Sequence, residues 1–279
     1  MCLDFRLDHK TQTLFSHLLS CKFIKTPILI LLFFMSKTHI SSFRSYRRAQ
    51  QSELITFQTI VYETDLWIAA HKDLSEPVAE YVRQLRGQIQ AYAAIFPEFF
   101  TSLTPMAASS HAPEIIKRMC AATQLVQVGP MAAVAGTIAQ MAAEYFYAQS
   151  PDLLVENGGD TFLFSTKDRQ VGILSIPDQD LRLCVRVQAT EFPCSFCASS
   201  AKIGHSLSFG NADVVVVRSQ NASLADAAAT ALANMLQDAQ DIELVINKAK
   251  SWQDLGVHGL FAQCEGQVGV WGQMELTIL

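Results

Sequence analysis

The chain has 279 residues, of which 50% are hydrophobic and 17% are charged. These proportions are typical of a compact globular protein and exclude a disordered or fibrous chain, and the length allows one or two domains. The formal net charge is −5, without a stripe of lysine and arginine. Because nucleic-acid phosphates require many positive contacts, we expect no nucleic-acid partner.

The first 34 residues do not share the pattern of the rest. Their apolar run, residues 27–35, is roughly half the ~20 residues needed to cross a bilayer, so we expect no membrane span. We interpret residues 1–34 as a disordered, non-native leader and expect translation to begin at Met35. Residues 35–279 then form a single domain.

Seven cysteines are scattered along the chain, with one close pair, Cys194 and Cys197. An odd number without paired spacings is typical of a reducing compartment, so we expect a cytoplasmic protein. The close pair indicates packing. A redox-active pair is the alternative, although the helix that usually follows a redox C-x-x-C motif is missing here.

Regular elements begin at Glu53. Apolar runs on both sides of the polar E-T-D segment (residues 63–65) predict two strands around a turn. The S-E-P sequence (residues 75–77) then predicts a helix with a hydroxyl cap. Its apolar face is expected to pack on a sheet: Val78, Val82, Leu85, Ile89 and Tyr92. A second helix is predicted from about Pro113.

Residues 129–136, G-P-M-A-A-V-A-G, precede a third predicted helix. Such small residues allow a ligand to approach the helix N-terminus, where N–H groups bind anions. They equally allow tight packing between helices. The sequence leaves both interpretations open.

The segment V-E-N-G-G-D-T-F (residues 155–162) predicts a strand, a tight turn and a second strand. Gly158 and Gly159 tolerate a positive φ and allow a close approach of the backbone to a bound group, while Asn157 and Asp160 place polar groups beside them. This concentration of polar groups indicates a site. An ordinary hairpin turn is the alternative.

Further strands are predicted at residues 171–176, 181–187 and 213–217, whereas residues 193–200 look irregular. His205 is flanked by glycine and serine, so we expect its side chain to be accessible. The chain closes with a weaker helix near residues 242–248 and short strands.

An alanine-rich helix is predicted to open at Ser223 and to run to Met235. Asp226 and Thr230 are four residues apart, so they share a helix face and present oxygen atoms of the kind that suit magnesium. The alternative is an acidic first turn that favours the helix dipole, with an incidental threonine.

Several motifs stand in a recognisable order: E-T-D-L (63–66), V-G-P-M-A-A-V-A-G (128–136), V-E-N-G-G-D (155–160), G-H-S-L-S-F-G (204–210) and A-D-A-A-A-T-A (225–231). They resemble the ApbE superfamily of FAD:protein FMN transferases, and more closely a functionally uncharacterised family of ApbE-like proteins. The resemblance covers about residues 46–235. It implies an α+β fold, a single ApbE-like domain of mixed sheets packed by helices.

The resemblance also implies a site for Mg²⁺ and FAD, with FAD as substrate or ligand. Carried over to this chain, the magnesium ligands are Asp226, Thr230 and a main-chain oxygen of Ala132, and His205 is the candidate for proton transfer. The implied flavin-binding residues are Gly129, Asn157, Gly158, Gly159, Asp160 and Ser206.

The implied function is magnesium-dependent binding of FAD or a related dinucleotide, with FMN transfer to a target protein or pyrophosphate cleavage as the reaction. Two departures stand out: Ala133 replaces a lysine of the transferases, and residues 204–210 replace their H-x-x-D/N-P-x-T-G stretch. These departures favour the alternative, a non-catalytic carrier or assembly protein that retains the fold. The expected partners are a flavin or nucleotide and a target protein, and the sequence does not predict an oligomeric state.

Overall fold

The computed structural model describes residues 29–31, 53–176, 181–200 and 210–278. The rest of the predicted leader, residues 1–34, lies outside these ranges. So does the segment 201–209, which carries His205 and Ser206. The expectations about the leader and about these two side chains therefore stay predictions.

The described residues alternate between strands and helices. The strands are β1 (Leu29–Leu31), β2 (Ile55–Val61), β3 (Thr64–Ala70), β4 (Leu153–Asn157), β5 (Asp160–Phe164), β6 (Arg169–Ile176), β7 (Leu181–Val187), β8 (Ser195–Ser199), β9 (Val214–Ser219), β10 (Val257–Cys264), β11 (Gln267–Gly272) and β12 (Glu275–Ile278). The helices are α1 (Ser75–Ile95), α2 (Glu98–Thr101), α3 (Glu114–Val126), α4 (Val134–Phe146), α5 (Ala222–Met235) and α6 (Ile242–Ser251). A 3₁₀ turn, Pro130–Ala133, leads directly into α4.

The described strands form three four-stranded sheets, ordered β2-β3-β4-β5, β8-β9-β10-β11 and β1-β6-β7-β12. Neighbouring strands are antiparallel except for β1 and β6, which are parallel. Helices α1 and α4 pack on the first sheet and α5 on the second. The predicted α+β class with mixed sheets is confirmed.

Two hydrophobic cores lie on opposite faces of these sheets. The first joins the helices to the inner faces of the β2–β5 and β8–β11 sheets, and contains Ile68 and Val217. The second lies where all three sheets meet, and contains Leu154, Val185 and Val216. Because neighbouring side chains of β4 and of β9 enter different cores, these two strands are buried on both faces.

Helix α1 follows the predicted pattern, since all five predicted core residues of its apolar face are buried. Its start differs from the prediction. The helix has no hydroxyl cap at Ser75; instead, the N–H of Ser75 donates to Oδ1 of Asp73 at 2.8 Å. The short carboxylate two residues earlier satisfies the free N–H group, so the serine is not needed for this role.

The expectation that residues 193–200 are irregular was wrong, because they contain strand β8. This strand pairs with β9, and both its faces are largely buried. A strand buried on both faces lacks the alternation of polar and apolar residues by which strands are recognised. The sequence pattern therefore missed β8 because this strand is buried on both faces.

Within the described ranges, no single helix has the length and apolar character needed to cross a membrane. Glu114–Val126 and Pro130–Gln149 meet these criteria only as a pair bent by 103°.

Candidate functional site

The β4–β5 hairpin forms one wall of the candidate site. Asn157 pairs with Asp160 across a two-residue turn, in which Gly158 and Gly159 have φ values of 68° and 118°. A Cβ atom added at either glycine would meet nothing within 4 Å. The turn therefore needs glycine for its backbone conformation, and the space beside it is open to a guest.

Asn157 connects this hairpin to the small-residue segment 129–136. Its side chain is buried, and its Nδ2 donates to the carbonyl oxygen of Ala135 at 3.0 Å. The amide thereby fixes the turn against the start of α4. Two of the sequence motifs are thus in direct contact.

Asp160 lies at the start of β5 and is only 7% exposed. Its Oδ1 accepts the N–H of Ala198 at 3.1 Å, and the thiol of Cys197 also hydrogen-bonds to it. Burial and the nearby charge of Glu156 raise the pKa of Asp160 to about 7, against the opposing effect of these two hydrogen bonds. This carboxyl group changes its charge near neutral pH.

The position of Asp160 follows from the way β5 meets β8. Leu163 and Cys194 pair through their main chains, at 2.9 and 3.1 Å. Further along, the hydroxyl of Thr161 donates to the carbonyl of Phe196 at 2.9 Å and accepts its N–H at 3.0 Å. Beyond Thr161, the Asp160 carboxylate makes the contact with β8 by accepting the N–H of Ala198. Side chains replace main-chain pairing as the strands separate, and we call these contacts the β5–β8 junction.

Asp226 lies on α5, and its carboxylate reaches the start of α4. Oδ2 accepts the N–H of Gly136 at 2.8 Å, and the N–H of Ala135 contributes as well. Burial and the charge of Asp160 raise the pKa of Asp226 well above its ordinary value, against these two hydrogen bonds. Part of the anion site predicted at this helix start is therefore filled by the chain's own carboxylate.

The start of α5 differs from the predicted one. The helix begins at Ala222, and its cap is Asn221, whose side chain accepts the N–H of Leu224 at 3.2 Å. Ser223 is therefore inside the helix. Asp226 lies beyond the first turn, which holds no acidic residue, so the helix dipole does not account for this carboxylate.

Close packing explains two of the glycines in segment 129–136. A Cβ at Gly136 would lie 2.3 Å from the carbonyl oxygen of Ala222, and one at Gly129 would lie 1.8 Å from that of Ser102. The structure thus supports the packing interpretation at both positions. Flavin contact at Gly129 stays a prediction.

Comparisons with known proteins decide the family. A family described as "AbpE bacteria" matches residues 46–265. The chain belongs to this family. The ApbE-like family expected from the ordered motifs is thereby confirmed.

Relatives of this ApbE-like chain include archaeal proteins named UPF0280. The protein from Methanocella arvoryzae is 35% identical over 78% of this chain and 85% of its own length. The protein from Methanopyrus kandleri is 37% identical over 72% and 82%, and that from Methanocaldococcus jannaschii is 31% identical over 77% and 89%.

Solved structures show the same fold. The ApbE protein from Thermotoga maritima superposes with a TM-score of 0.55 at 12% identity, and covers 79% of this chain and 97% of its own. The flavin transferase ApbE from Vibrio cholerae gives a TM-score of 0.51 at 12% identity over 79% and 97%. At this identity the likeness establishes the ApbE fold alone.

In this ApbE-like chain the separated motifs converge. Asp160 and Asp226 are close enough for repulsion between their charges, and both charges raise the pKa of the Cys197 thiol. Thr230 follows Asp226 by about one turn on the same face of α5. Ala132 belongs to the 3₁₀ turn that packs against α5. The structure therefore brings three of the sequence motifs together, whereas direct contacts of Thr230 and Ala132 with the Asp226 carboxylate stay a prediction.

Cys194 and Cys197 do not form a redox pair. Cys194 belongs to the second core and Cys197 to the first, and both are buried free thiols. Burial raises the pKa of Cys194 to about 12; burial and the two aspartates raise that of Cys197 well above its ordinary value. Such thiols are unreactive, and the packing interpretation is confirmed.

The donor atoms fit a hard cation that keeps some of its water. In the described part of the chain, no group of three or more His, Cys, Asp and Glu side chains is arranged to hold a metal. A magnesium site does not need three such side chains, since Mg²⁺ commonly uses one or two carboxylates together with water and phosphate oxygens. Asp226, the Thr230 hydroxyl and the Ala132 carbonyl have donor atoms suited to such a set, and their role as ligands stays a prediction.

Ser199 has a polar side chain on the strand that contacts Asp160. Its hydroxyl is buried and has no hydrogen-bond partner among the described residues. Alternation along β8 places Ser199 on the same side as Cys197, whose sulfur lies 3.5 Å from the carbonyl oxygen of Ala222 on α5. A buried hydroxyl without a partner is costly unless a guest or water satisfies it.

Proposed function

We propose that this ApbE-like protein binds FAD or a related dinucleotide with Mg²⁺ at the place where Asp160 and Asp226 meet, here called the recess, and transfers FMN to a target protein. The observation that carries the proposal is the convergence of these two carboxylates beside the open turn at Gly158 and Gly159. The fold supports it, because solved proteins of this fold are titled flavin transferases.

The electrostatics of the recess favour a cation. Burial raises the pKa of both carboxyl groups, and the charge of Asp160 raises that of Asp226 further, so the two do not both ionise at low cost. A divalent cation stabilises both charged forms and provides a contact for a pyrophosphate. Magnesium also neutralises the charge that develops on phosphate oxygens during phosphoryl transfer.

The proposed reaction needs only FAD and a hydroxyl group of the target protein as reactants. A hydroxyl oxygen of the target protein bonds to the phosphorus of the FMN half of FAD, and the bond from that phosphorus to the AMP oxygen breaks. The hydroxyl proton leaves to a base, and AMP departs with the electron pair. Hydrolysis of the same bond by water would instead give free FMN and AMP. His205 as the base remains a prediction.

Flavin binding tests the site directly. Titration of FAD fluorescence in the presence of Mg²⁺ is expected to show saturable binding, and Asp226→Asn is expected to weaken it by a factor of ten or more, about 1.4 kcal/mol, because a charged ligand is lost. The matched control is Asp254→Asn, which changes an exposed carboxylate elsewhere. Equal affinity of Asp226→Asn and wild type would contradict the proposal.

A second candidate function is a non-catalytic carrier that keeps the flavin site. The observation in its favour is Ala133, which takes the position of the transferase lysine and is fully buried, so no charged side chain reaches the recess from there. Assay of AMP release from FAD separates the two functions. Release in the wild type supports catalysis, whereas binding without release supports the carrier.

We also propose that the protein works in the cytoplasm. The five cysteines in the described part of the chain are all free thiols, which is typical of a reducing compartment.

A further inference from the structure

Among the described residues, strand β2 has one edge without a partner strand. It pairs with β3 in continuous register, from Ile55 opposite Ala70 to Val61 opposite Thr64, and with no other strand among the described residues. Residues 61 and 64 close a two-residue turn and form a hydrogen-bonded pair. Alternate residues, among them Gln58 and Ile60, therefore direct their N–H and C=O groups away from the sheet.

The sequence of strand β2 itself has none of the residues or irregularities that usually prevent pairing. Exposed edge strands are normally protected by charged residues, prolines, bulges or short length. Strand β2 reads I-T-F-Q-T-I-V, seven residues without a charge, a proline or a register shift. Ile60 is 64% exposed beside this edge. The strand thus keeps the main-chain groups and apolar surface that an added strand needs.

A groove runs beside the edge, with helix α1 as its other wall. It has a volume of about 530 Å³ and is lined by Gln58 and Ile60 on the strand and by Glu76, Ala79 and Glu80 on the helix. An edge strand flanked by a helix can receive an extended peptide: the strand supplies main-chain hydrogen bonds, and the groove accepts alternate side chains.

The charges of the groove indicate which peptide fits. Glu76 and Glu80 are exposed at its rim, and Arg83 donates to Glu80 at 2.9 Å. Glu76 has no ion-pair partner in the described part of the chain, so the rim carries net negative charge. A basic side chain in the added strand complements it.

A second copy of the chain fits less well. Two β2 edges paired about a two-fold axis would bring their acidic rims towards each other. Pairing through one strand would also bury much less than the ~1,600 Å² that is usual for a specific complex.

The open edge of β2 ends at the same end of the sheet as the candidate site. The β2–β3 turn closes at Val61 and Thr64, the neighbouring strands pair at Leu66 and Asn157, and the next turn closes at Asp160. An added strand would lie four strand spacings from β5, or about 19 Å at ~4.8 Å each. About six extended residues cover that distance.

We propose that the β2 edge and the groove beside α1 bind an extended segment of a partner protein, containing lysine or arginine, as an added β-strand. The role of that partner as the FMN acceptor rests on the proposed function. The docking itself requires neither flavin nor magnesium.

The test uses a fluorescein-labelled peptide of about ten residues with alternating valine and threonine and two lysines, followed by anisotropy without flavin. Gln58→Pro removes one outward N–H without removing a β2–β3 hydrogen bond, and Gln58→Ala is its matched control. We expect saturable binding to wild type and Gln58→Ala, and about fivefold or greater weakening in Gln58→Pro from loss of one hydrogen bond. Glu76→Lys is also expected to weaken binding.

A second measurement keeps the test independent of folding defects. Peptide binding is expected to slow amide exchange at Gln58 and Ile60 in the wild type, and Gln58→Pro is expected to keep the wild-type circular dichroism spectrum. Failure of the lysine peptide to bind, equal binding by Gln58→Pro, or equal binding of a peptide with glutamates in place of lysines would overturn the proposal. A wild-type dimer that Gln58→Pro dissociates would also overturn it, because a second copy would then occupy the edge.

The two proposals can fail separately. Loss of flavin binding with intact peptide binding in Asp226→Asn supports both. Peptide binding by a wild type that binds no flavin supports docking and rejects the proposed function.

Discussion

At the scale of single residues, Asp152 is a buried carboxylate with several hydrogen bonds, and it lies just before β4, at the end of that strand remote from Asn157. Asp152 accepts bonds from the N–H and hydroxyl of Thr166, at 2.7 and 2.9 Å, and from the hydroxyl of Ser165, at 3.0 Å. Nη2 of the buried Arg169 lies 3.1 Å from it. Burial by itself would raise the pKa of Asp152, but these hydrogen bonds and the arginine charge lower it below its ordinary 3.8.

A depressed pKa makes the contribution of Asp152 to stability depend on pH. The folded state favours ionised Asp152, so the contribution is complete above the unfolded pKa and is lost as the pH falls through the lower folded pKa. We expect Asp152→Asn to lower the free energy of unfolding by about 3–5 kcal/mol at neutral pH, since Arg169 then keeps a buried charge without its carboxylate. Urea unfolding at several pH values measures this difference, which should shrink in acid.

The control for this prediction is Glu80→Gln, which removes an exposed ion pair with Arg83. Its expected cost is about 0–1 kcal/mol. If Asp152→Asn loses no more stability than this control, the buried pair does not stabilise the fold as described.

At the scale of elements, the β5–β8 junction connects two sheets and positions Asp160. Thr161 is central to it, because one hydroxyl satisfies both main-chain groups of Phe196. Replacing Thr161 with valine keeps the shape but leaves this buried N–H and C=O without partners. We expect a loss of about 1–3 kcal/mol in the free energy of unfolding, faster amide exchange at Phe196 and weaker flavin binding through a displaced Asp160.

Thr123→Val is the matched control for Thr161→Val. Thr123 is equally buried, but its hydroxyl donates to the carbonyl of Met119 within α3, so the substitution leaves no N–H group unpaired. Unchanged flavin binding in both variants would show that the junction does not position the recess.

Elements with a local periodic signal were predictable from sequence. The apolar face of α1, the β4–β5 hairpin and α5 all follow from spacing and turn residues, and the ordered motifs identified the family. Strand β8 was missed because its burial on both faces removes the alternation of residue types.

The contacts that assemble the candidate site lie between residues far apart in the chain. Asp226 meets Gly136 across 90 positions, and Asp160 meets Ala198 across 38. No spacing rule predicts such contacts, because they depend on how the sheets pack. The role of Thr161 was missed for the same reason, because this residue carries no local signal of its own.

At the scale of the whole molecule, the two cores share their sheets. Strands β4 and β9 each contribute residues to both cores, so loss of one core exposes the other face of the same strands. We therefore expect a single cooperative unfolding transition, without a separately folded half.

Ligand binding should shift that single transition as a whole. FAD and Mg²⁺ at about 100 times the dissociation constant are expected to add about 2.7 kcal/mol to the free energy of unfolding, because they bind only the folded state. Scanning calorimetry of wild type and Asp226→Asn measures the shift, which the variant should lack. Two resolved transitions, only one of them ligand-sensitive, would contradict the shared-sheet arrangement.

The double hydrogen bond at Thr161 restricts how the sequence can diverge. A single side-chain atom there must donate to a carbonyl and accept from an N–H, and within so short a reach only the hydroxyls of serine and threonine do both. Position 161 lies one residue beyond the N-G-G-D motif and binds no ligand in our proposal. We nevertheless expect position 161 to tolerate few residue types, because a change there would weaken the contact between two sheets rather than one side-chain contact alone.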